Sequence, residues 1–175
     1  MGRSSSKKFV SRGRYPAQLF LHVEIDFFAT YMARVIDSEG SHAYRTVWAD
    51  VNGKKKDITE GGRKSCALFV STILHGFDLV KFVHTSVPGT ITDMERLGWK
   101  KISRPRVGAV VTWNGILYAD GLSHAHIGFV SKSNEAISMS DKTRTPIRHH
   151  LTFGRSGTKN YRPVFELWWH PKLGR

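Results

Sequence analysis

The stretch from Gly61 to Leu74 constrains the fold of this 175-residue chain more than any other. Two glycines interrupt the preceding structure, and Ser65 then occupies a position typical of a helix N-cap. Apolar residues recur after it at steps of three and four, which predicts a helix with one buried face, formed by Phe69, Val70, Ile73, Leu74 and Phe77. His75-Gly76 is a stop signal for this helix. Cys66, the only cysteine, is therefore expected in the first helical turn.

A thiol at such a position is suited to nucleophilic chemistry. Unpaired backbone N–H groups and the positive end of the helix dipole favour a thiolate there. Facing a histidine, Cys66 would form a thiolate–imidazolium pair that attacks a carbonyl carbon and then protonates the leaving amine, with its own backbone N–H as an oxyanion donor. The alternative is that Cys66 is a small buried hydrophobe without catalytic function.

The charge balance of the chain predicts an anionic partner. Lys and Arg number 27 against 14 Asp and Glu, which gives a net charge of +13. Nucleic acid, an acidic wall polymer and a membrane surface all fit this charge, and a soluble protein that is simply basic is the remaining alternative.

The length suits one domain, which we place at 15–175 behind a flexible basic arm at 1–14. One cysteine excludes an internal disulfide and a four-cysteine zinc site.

Two targeting features are not expected from the sequence. No apolar run approaches about 18 residues, the length that indicates a transmembrane helix. No apolar segment follows the basic N-terminus, so we predict no secretory signal and a chain that is cytoplasmic as made. If it acts on a cell wall, it would need lysis, a secretion apparatus or a signal already removed. The oligomeric state stays open.

The order of the predicted elements indicates an α+β fold. A helix with one apolar stripe is predicted over 16–36. The spacing of apolar residues between Tyr44 and Val51 suits a short helix, and a basic turn follows at 52–57. Thr92 opens a capping box for a further helix that ends at Gly98. Period-two patterns then predict the strands of an antiparallel sheet over 107–113, 126–130, 135–140 and 163–169.

His126-Ile127-Gly128-Phe129-Val130 is the second informative segment. His126 begins a predicted strand, and the next strand starts at Glu135 after a tight turn at 131–134. A hairpin this short places residues 138–141 beside His126, where a polar group would hold the imidazole in one orientation. His124 and His126 also have the spacing of a zinc-chelating pair, but no third ligand accompanies them, so we predict no metal site.

Three segments resemble NlpC-type cell-wall peptidases and CHAP amidases, which are papain-like. Ser65-Cys66-Ala67-Leu68-Phe69-Val70 resembles their nucleophile helix, which typically runs Asp-Cys-Ser-Gly-Phe-Val. Residues 105–113, Pro-Arg-Val-Gly-Ala-Val-Val-Thr-Trp, resemble their Pro-x-x-Gly-Asp-Val-Val-x-Trp strand, with Ala109 in place of the usual Asp. Residues 126–130 resemble their His-Val-Gly-Ile-Tyr strand. The segments occur in family order, and the cysteine precedes the histidine, unlike in the permuted lecithin–retinol acyltransferase relatives.

The resemblance implies a papain-like fold in which Cys66 is the nucleophile and His126 the base of a cysteine peptidase or amidase. It further implies hydrolysis of an amide bond in peptidoglycan peptides, without a cofactor. The imidazole-orienting residue falls at Ser138, where the family more often has His, Asn, Gln, Asp or Glu. Asp141 and Ser140 are the alternatives if the hairpin contains a bulge. A Cys–His dyad and an inactive relative are the other interpretations.

Two other functional classes stay open beside this one. The first is a non-catalytic basic protein that binds nucleic acid or wall polymer on the same scaffold, and the second is a protein-directed cysteine protease effector. Trp113, Trp48 and Lys64 are the candidate substrate-binding residues. The aromatic residues recur at core-like periods rather than among Lys and Arg, which argues against single-stranded nucleic acid. We predict His149-His150 as a surface pair and His170 as a surface residue.

Overall fold

The described part of the chain begins just before its first helix. The computed structural model describes residues 24–117, 121 and 123–174. The predicted arm at 1–14 and residues 16–23 of the predicted helix lie outside these residues. Helix α1 (Phe27–Ile36) is capped by Asp26, which accepts a hydrogen bond from the Ala29 N–H at 2.8 Å. Its predicted end at residue 36 is confirmed, whereas residues 24–26 are not helical.

A hairpin replaces the short helix predicted between Tyr44 and Val51. Strands β1 (Trp48–Val51) and β2 (Lys54–Asp57) pair antiparallel around Asn52-Gly53. Both turn residues have positive φ, 55° and 77°, which is the backbone of a type I′ turn and matches the twist of paired strands. The spacing of the apolar residues is compatible with a helix, but the Asn-Gly turn signal determines the structure. The lysine triplet consequently lies in β2 and not in a turn.

Helix α2 (Cys66–His75) begins and ends at the predicted cap and stop signals, although Phe77, predicted on its buried face, follows the helix. Ser65 occupies the N-cap position, and Gly76 follows the last turn. The Ser65 hydroxyl does not cap the helix, because it donates to the Gly62 carbonyl at 2.9 Å. The backbone N–H groups of the first turn therefore do not donate to this side chain, and those of Cys66 and Ala67 instead lie against the Cys66 sulfur.

Helix α3 (Val87–Arg96) starts upstream of the predicted capping box. Ser86 is its N-cap and accepts a hydrogen bond from the Gly89 N–H at 3.3 Å. The cap predicted around Thr92 is wrong, because the buried Asp93 accepts hydrogen bonds from the backbone of residues 81 and 82 and pairs with His84. Two short 3₁₀ helices are Glu60–Gly62 and Pro171–Leu173. No helix in the described part of the chain has the length and apolarity needed to cross a bilayer.

Six strands form one antiparallel sheet in the order β3-β8-β4-β5-β6-β7. Their bounds are β3 (Lys100–Ile102), β4 (Val110–Leu117), β5 (Ser123–Lys132), β6 (Glu135–Met139), β7 (Pro146–His150) and β8 (Val164–Trp169). The predicted α+β class with an antiparallel sheet is confirmed. The edge strands β3 and β7 are absent from the prediction, because one is very short and the other begins with a proline and is rich in basic residues, both features that sheet edges tolerate.

Helix α2 packs on the sheet against β5 and β6. Phe69 is fully buried and meets Phe129 of β5 edge to face, with ring centroids 5.5 Å apart. Burying a side chain of this size stabilises the fold by about 1.5–3 kcal/mol. The Tyr31 hydroxyl donates to the Gly108 carbonyl at 2.8 Å and ties α1 to the loop before β4. This packing brings the N-terminal end of α2, and with it Cys66, against β5.

Candidate active site

The loop before α2 is organised around one carboxylate. Asp57 accepts hydrogen bonds from the N–H groups of Gly61 at 2.6 Å, Thr59 at 3.0 Å and Val47 at 3.1 Å. Burial alone would raise the pKa of Asp57, but these bonds and one from the Thr59 hydroxyl outweigh it and lower the pKa to about 2. The next residues all have positive φ, of 53°, 63° and 99°, at Glu60, Gly61 and Gly62. This backbone path positions the start of α2.

Cys66 is half-buried at the first residue of α2, and its sulfur lies near the backbone of β5. Burial raises the pKa of the thiol, while the N–H groups of Ile127 and Ala67 and the charge of Arg162 lower it by less. The helix terminus thus acts in the predicted direction, but desolvation is stronger. A neutral thiol is therefore the resting form at neutral pH, in contrast to the predicted thiolate.

His126 lies on β5, opposite Trp113 of β4. The imidazole packs against the Trp113 ring with 5.4 Å between centroids, and its Nε2 is 2.8 Å from the Ser138 hydroxyl oxygen. Ser138 is thus the residue that meets His126 across the hairpin, as the strand pattern predicts. Burial lowers the pKa of His126 to about 3, with Arg162 and His149 acting in the same direction. The imidazole is therefore neutral at neutral pH, and the predicted thiolate–imidazolium pair is not the resting form.

Gly128 allows Ser138 to reach His126. It pairs with Ser138 across β5 and β6, and it lies two positions along β5 from His126. A Cβ atom on Gly128 would be 2.7 Å from the Ser138 Cβ and 2.6 Å from the Ile137 carbonyl oxygen, closer than real Cβ atoms approach. The missing side chain therefore lets β6 come near enough for the hydrogen bond between Ser138 and His126.

The hydrogen bonds continue from Ser138 to His149. The sequence did not predict His149 as part of the site. The Ser138 oxygen is also 2.8 Å from His149 Nε2, and His149 Nδ1 is 2.8 Å from the His150 carbonyl oxygen. The prediction of a surface pair is wrong for His149, which is half-buried and stacks on Phe153 at 4.0 Å between centroids. The alternation of Ile147, His149 and Leu151 is a weak period-two signal for a strand with His149 on one face, although Leu151 follows β7.

Cys66, His126, Ser138 and His149 line one cleft of about 820 Å³. Among its described lining residues, one side chain, Asp141, is acidic and four are basic: Arg63, Lys64, Lys159 and Arg162. Within the described residues, His126 makes one hydrogen bond, to Ser138, and none to Cys66. Because Nε2 takes that bond, Nδ1 is the ring nitrogen left for the thiol or a substrate.

The remaining predicted site residues divide between this cleft and other parts of the molecule. Lys64 lines the cleft and pairs with Glu60 at 2.9 Å. Trp113, predicted to bind substrate, does not line the cleft: it is fully buried beneath His126, where its indole N–H donates to the Leu151 carbonyl at 2.8 Å. Trp48 does not line the cleft and lies on β1 with its side chain 62% exposed.

Three further predictions concern the alternatives to Ser138, the position of His170 and a metal site. Asp141 and Ser140 line the cleft, but Ser138 takes the position beside His126 for which they are the alternatives. His170 is buried, contrary to its predicted surface position, and its Nε2 is 2.9 Å from the Leu97 carbonyl oxygen. Across the residues that the structure describes, no group of three or more His, Cys, Asp or Glu side chains is arranged to hold a metal ion.

Comparisons with known proteins do not assign this chain to a family. A scan against protein-family models finds no matching family, and a search of curated proteins finds no matching relative. The resemblance to NlpC-type and CHAP enzymes therefore stays a prediction that rests on the three sequence segments. Function has to be inferred from these segments together with the geometry of the cleft.

Proposed function

We propose that the protein is a papain-like cysteine hydrolase that cleaves an amide bond, with Cys66 as nucleophile and His126 as general base. One observation carries the proposal: a thiol at a helix start shares a cleft with an imidazole whose Nε2 is already hydrogen-bonded to Ser138. That bond turns Nδ1 into the nitrogen available for proton transfer. The order of the three sequence segments that resemble NlpC-type and CHAP enzymes supports the same roles.

The neutral resting state defines the order of proton transfers in this mechanism. As the Cys66 sulfur attacks the carbonyl carbon, the thiol proton moves to Nδ1 of His126. The C–N bond then breaks, and the proton on Nδ1 passes to the leaving amine, which leaves a thioester on Cys66. Water attacks the thioester with His126 again as base, and the departing thiolate recovers its proton from Nδ1. His126 therefore acts as a base first, without a preformed ion pair.

Basic side chains around the cleft support an acidic peptide as substrate. Four basic residues against one acidic residue give the cleft a positive potential, in line with the net charge of +13. We take peptidoglycan stem or cross-bridge peptides as the first candidates, following the sequence resemblance. A protein-directed protease would use the same residues and differ in its substrate. The backbone N–H of Cys66 remains our candidate oxyanion donor.

A second candidate function is binding of an anionic polymer without catalysis. The hairpin of β1 and β2 favours it, because Trp48 is exposed there and the Lys55 ammonium lies 5.5 Å from the centre of its ring. The neutral thiol and the lack of a hydrogen bond between Cys66 and His126 point the same way. This function predicts salt-sensitive binding that survives Cys66→Ala.

Digestion of purified sacculi and of synthetic acidic stem peptides, followed by mass spectrometry of the products, tests the first function against the second. We expect new amine and carboxyl ends with the native protein and none with Cys66→Ala. His126→Gln should retain less than about 1% of the native rate, since general base catalysis contributes 10²-fold or more. Sacculus binding that is unchanged in Cys66→Ala, without any cleavage by the native protein, would contradict the hydrolase and support the binding protein.

A further inference from the structure

A chain of hydrogen bonds crosses three strands and ends at His126. It starts at the backbone carbonyl of His150 and passes through His149 Nδ1 and Nε2, the Ser138 hydroxyl and His126 Nε2, with 2.8 Å at each of its three links. Ser138 is 1% exposed, so bulk water does not compete for its hydroxyl. The Ser138 hydroxyl is therefore limited to the partners that the protein provides.

The proton positions in this chain follow from its first member. A backbone carbonyl can only accept, so His149 carries its proton on Nδ1. A neutral imidazole protonated on Nδ1 has a lone pair on Nε2, and the Ser138 hydroxyl must donate to it. The Ser138 oxygen then accepts from His126, which places the His126 proton on Nε2. Nδ1 of His126 is left as a lone pair.

We propose that His149 is a positioning residue of the active site, which acts through Ser138 to hold His126 in the tautomer whose Nδ1 accepts the thiol proton. The inference rests on the proposed function for its catalytic consequence, but the tautomer itself is a property of the folded chain. It assigns a role to a residue on the edge strand β7 that lies two strands away from His126.

Ser138 alone cannot set this tautomer. A hydroxyl rotates and is both donor and acceptor, so it satisfies His126 equally well with the proton on either ring nitrogen. A carboxylate only accepts hydrogen bonds, so it would select the Nε2–H form of His126 directly. His149 has the same effect through Ser138: because the serine hydroxyl donates to His149, its oxygen can only accept from His126. Ser138 and His149 together thus take the place of the single orienting side chain that the NlpC-type pattern more often carries.

The surroundings of His149 hold its ring in place and keep it neutral. Its ring stacks on Phe153 at an interplanar angle of 15°, and Trp113 lies beside it with 5.6 Å between centroids. Burial lowers the pKa of His149, which keeps the ring neutral at neutral pH. A charged ring would donate from both nitrogens and remove the acceptor that the Ser138 hydroxyl needs.

NMR of the full chain labelled with ¹⁵N-histidine tests the proposal without any substrate. Long-range ¹H–¹⁵N correlations separate protonated from unprotonated ring nitrogens, and His126→Gln assigns the signals. In the native protein at neutral pH, we expect His126 to carry its proton on Nε2. A proton on Nδ1 would overturn the proposal directly, before any variant of His149 is made.

Variants of His149 then test its part in the effect. His149→Phe keeps an aromatic ring against Phe153 but removes the acceptor, so we expect His126 to become a mixture of both tautomers. His149→Gln restores an acceptor oxygen and should return most of the Nε2–H form. His42→Phe makes the same substitution at an exposed histidine outside the cleft and should change nothing. An unchanged His126 tautomer in a folded His149→Phe protein would overturn the proposal.

Hydrolysis of an acidic stem peptide by the same proteins separates this inference from the proposed function. We expect His149→Phe to lower kcat about tenfold with little change in KM, because a weakened base acts on the chemical step. Native kcat in His149→Phe would overturn the positioning role while leaving the hydrolase intact. If the native protein hydrolyses nothing, the proposed function fails, and the NMR result still decides the tautomer.

Discussion

The two halves of the proposed active site are held by different kinds of interaction. The backbone positions Cys66: a loop with positive φ is tied to Asp57 and leads directly into α2. Side chains position His126, through packing on Trp113 and hydrogen bonds that pass by Ser138 to β7. The cysteine half should therefore depend on one carboxylate and the loop glycines, whereas the histidine half should depend on single polar atoms and on close strand packing.

Asp57→Ala should cause the largest loss, because it removes the acceptor of three backbone N–H groups at once. We expect the free energy of unfolding to fall by about 2–4 kcal/mol, since a donor left unpaired costs about 1–3 kcal/mol where solvent access is limited. Hydrolysis should fall further than stability alone explains, because the start of α2 loses its support. Urea denaturation and the peptide assay measure the two effects.

Asp50→Ala is the matched control for this carboxylate. Asp50 accepts a single hydrogen bond, from the Gly53 N–H at 2.7 Å, at the exposed tip of the hairpin. Its loss should cost less than about 1 kcal/mol and leave hydrolysis unchanged. Equal losses in stability and activity from the two substitutions would show that Asp57 does not organise the cysteine half.

Gly128→Ala should damage the histidine half while leaving the cysteine half in place. Its Cβ would meet the Ser138 Cβ and the Ile137 carbonyl, so β6 has to shift away from β5. Overpacking of this kind costs about 1–3 kcal/mol, and the hydrogen bond between Ser138 and His126 should be lost with it. Thermal unfolding and the His126 ring ¹⁵N signals report the two consequences. Gly76→Ala, whose Cβ would make only ordinary contacts, should show neither of them.

Features that depend on local sequence signals could be predicted from the sequence. The α2 boundaries depend on local signals, the Gly-Gly break, the apolar spacing and His75-Gly76, and they were predicted correctly. The meeting of His126 with Ser138 also followed, because a short hairpin fixes which residues face each other. The hairpin at Asn52-Gly53 differs from the predicted short helix although its turn signal is strong, because the three-residue apolar spacing before it is also compatible with a helix.

The position of His149 and the protonation state of the Cys66 thiol could not be predicted from the sequence. His149 reaches Ser138 only because β7 pairs with β6, and a basic strand that begins with a proline carries little strand signal. The helix terminus favours a thiolate on Cys66, and this is the only effect on the thiol pKa that the sequence reveals. Burial against β5 depends on the tertiary fold, and it outweighs the helix terminus in the pKa of the thiol.

Acid should weaken the histidine half before it affects the cysteine half. The pKa of His126 is lowered to about 3 from an ordinary value of 6.5, so between these values the unfolded chain binds a proton that the folded chain does not. Stability that is complete above about pH 6.5 is therefore lost progressively as the pH falls towards 3. We expect His126→Gln to flatten this part of the stability profile, measured by urea denaturation at a series of pH values. An identical slope in the variant would contradict burial of a neutral His126.

Lys64→Ala should give the smallest effect, because it removes one charge from the cleft and leaves Asp57, the loop glycines and His126 with its partners unchanged. Lys64 lines the cleft and is paired with Glu60. We expect KM for an acidic peptide to rise by less than about tenfold, with kcat unchanged and the difference reduced by added salt. Lys100→Ala, the same substitution at an exposed lysine of β3 outside the cleft, should leave both constants unchanged. A fall in kcat with Lys64→Ala would place this residue in the chemistry itself.

Trapping the thioester tests the central claim most directly. An activated ester of an acidic peptide, mixed with the native protein and quenched in acid, should add one acyl group in the intact mass, mapped to Cys66 by peptide sequencing. We predict no adduct in Cys66→Ala and formation slowed by about 100-fold or more in His126→Gln. Absence of the adduct in the native protein, or acylation at the native rate in His126→Gln, would contradict the account.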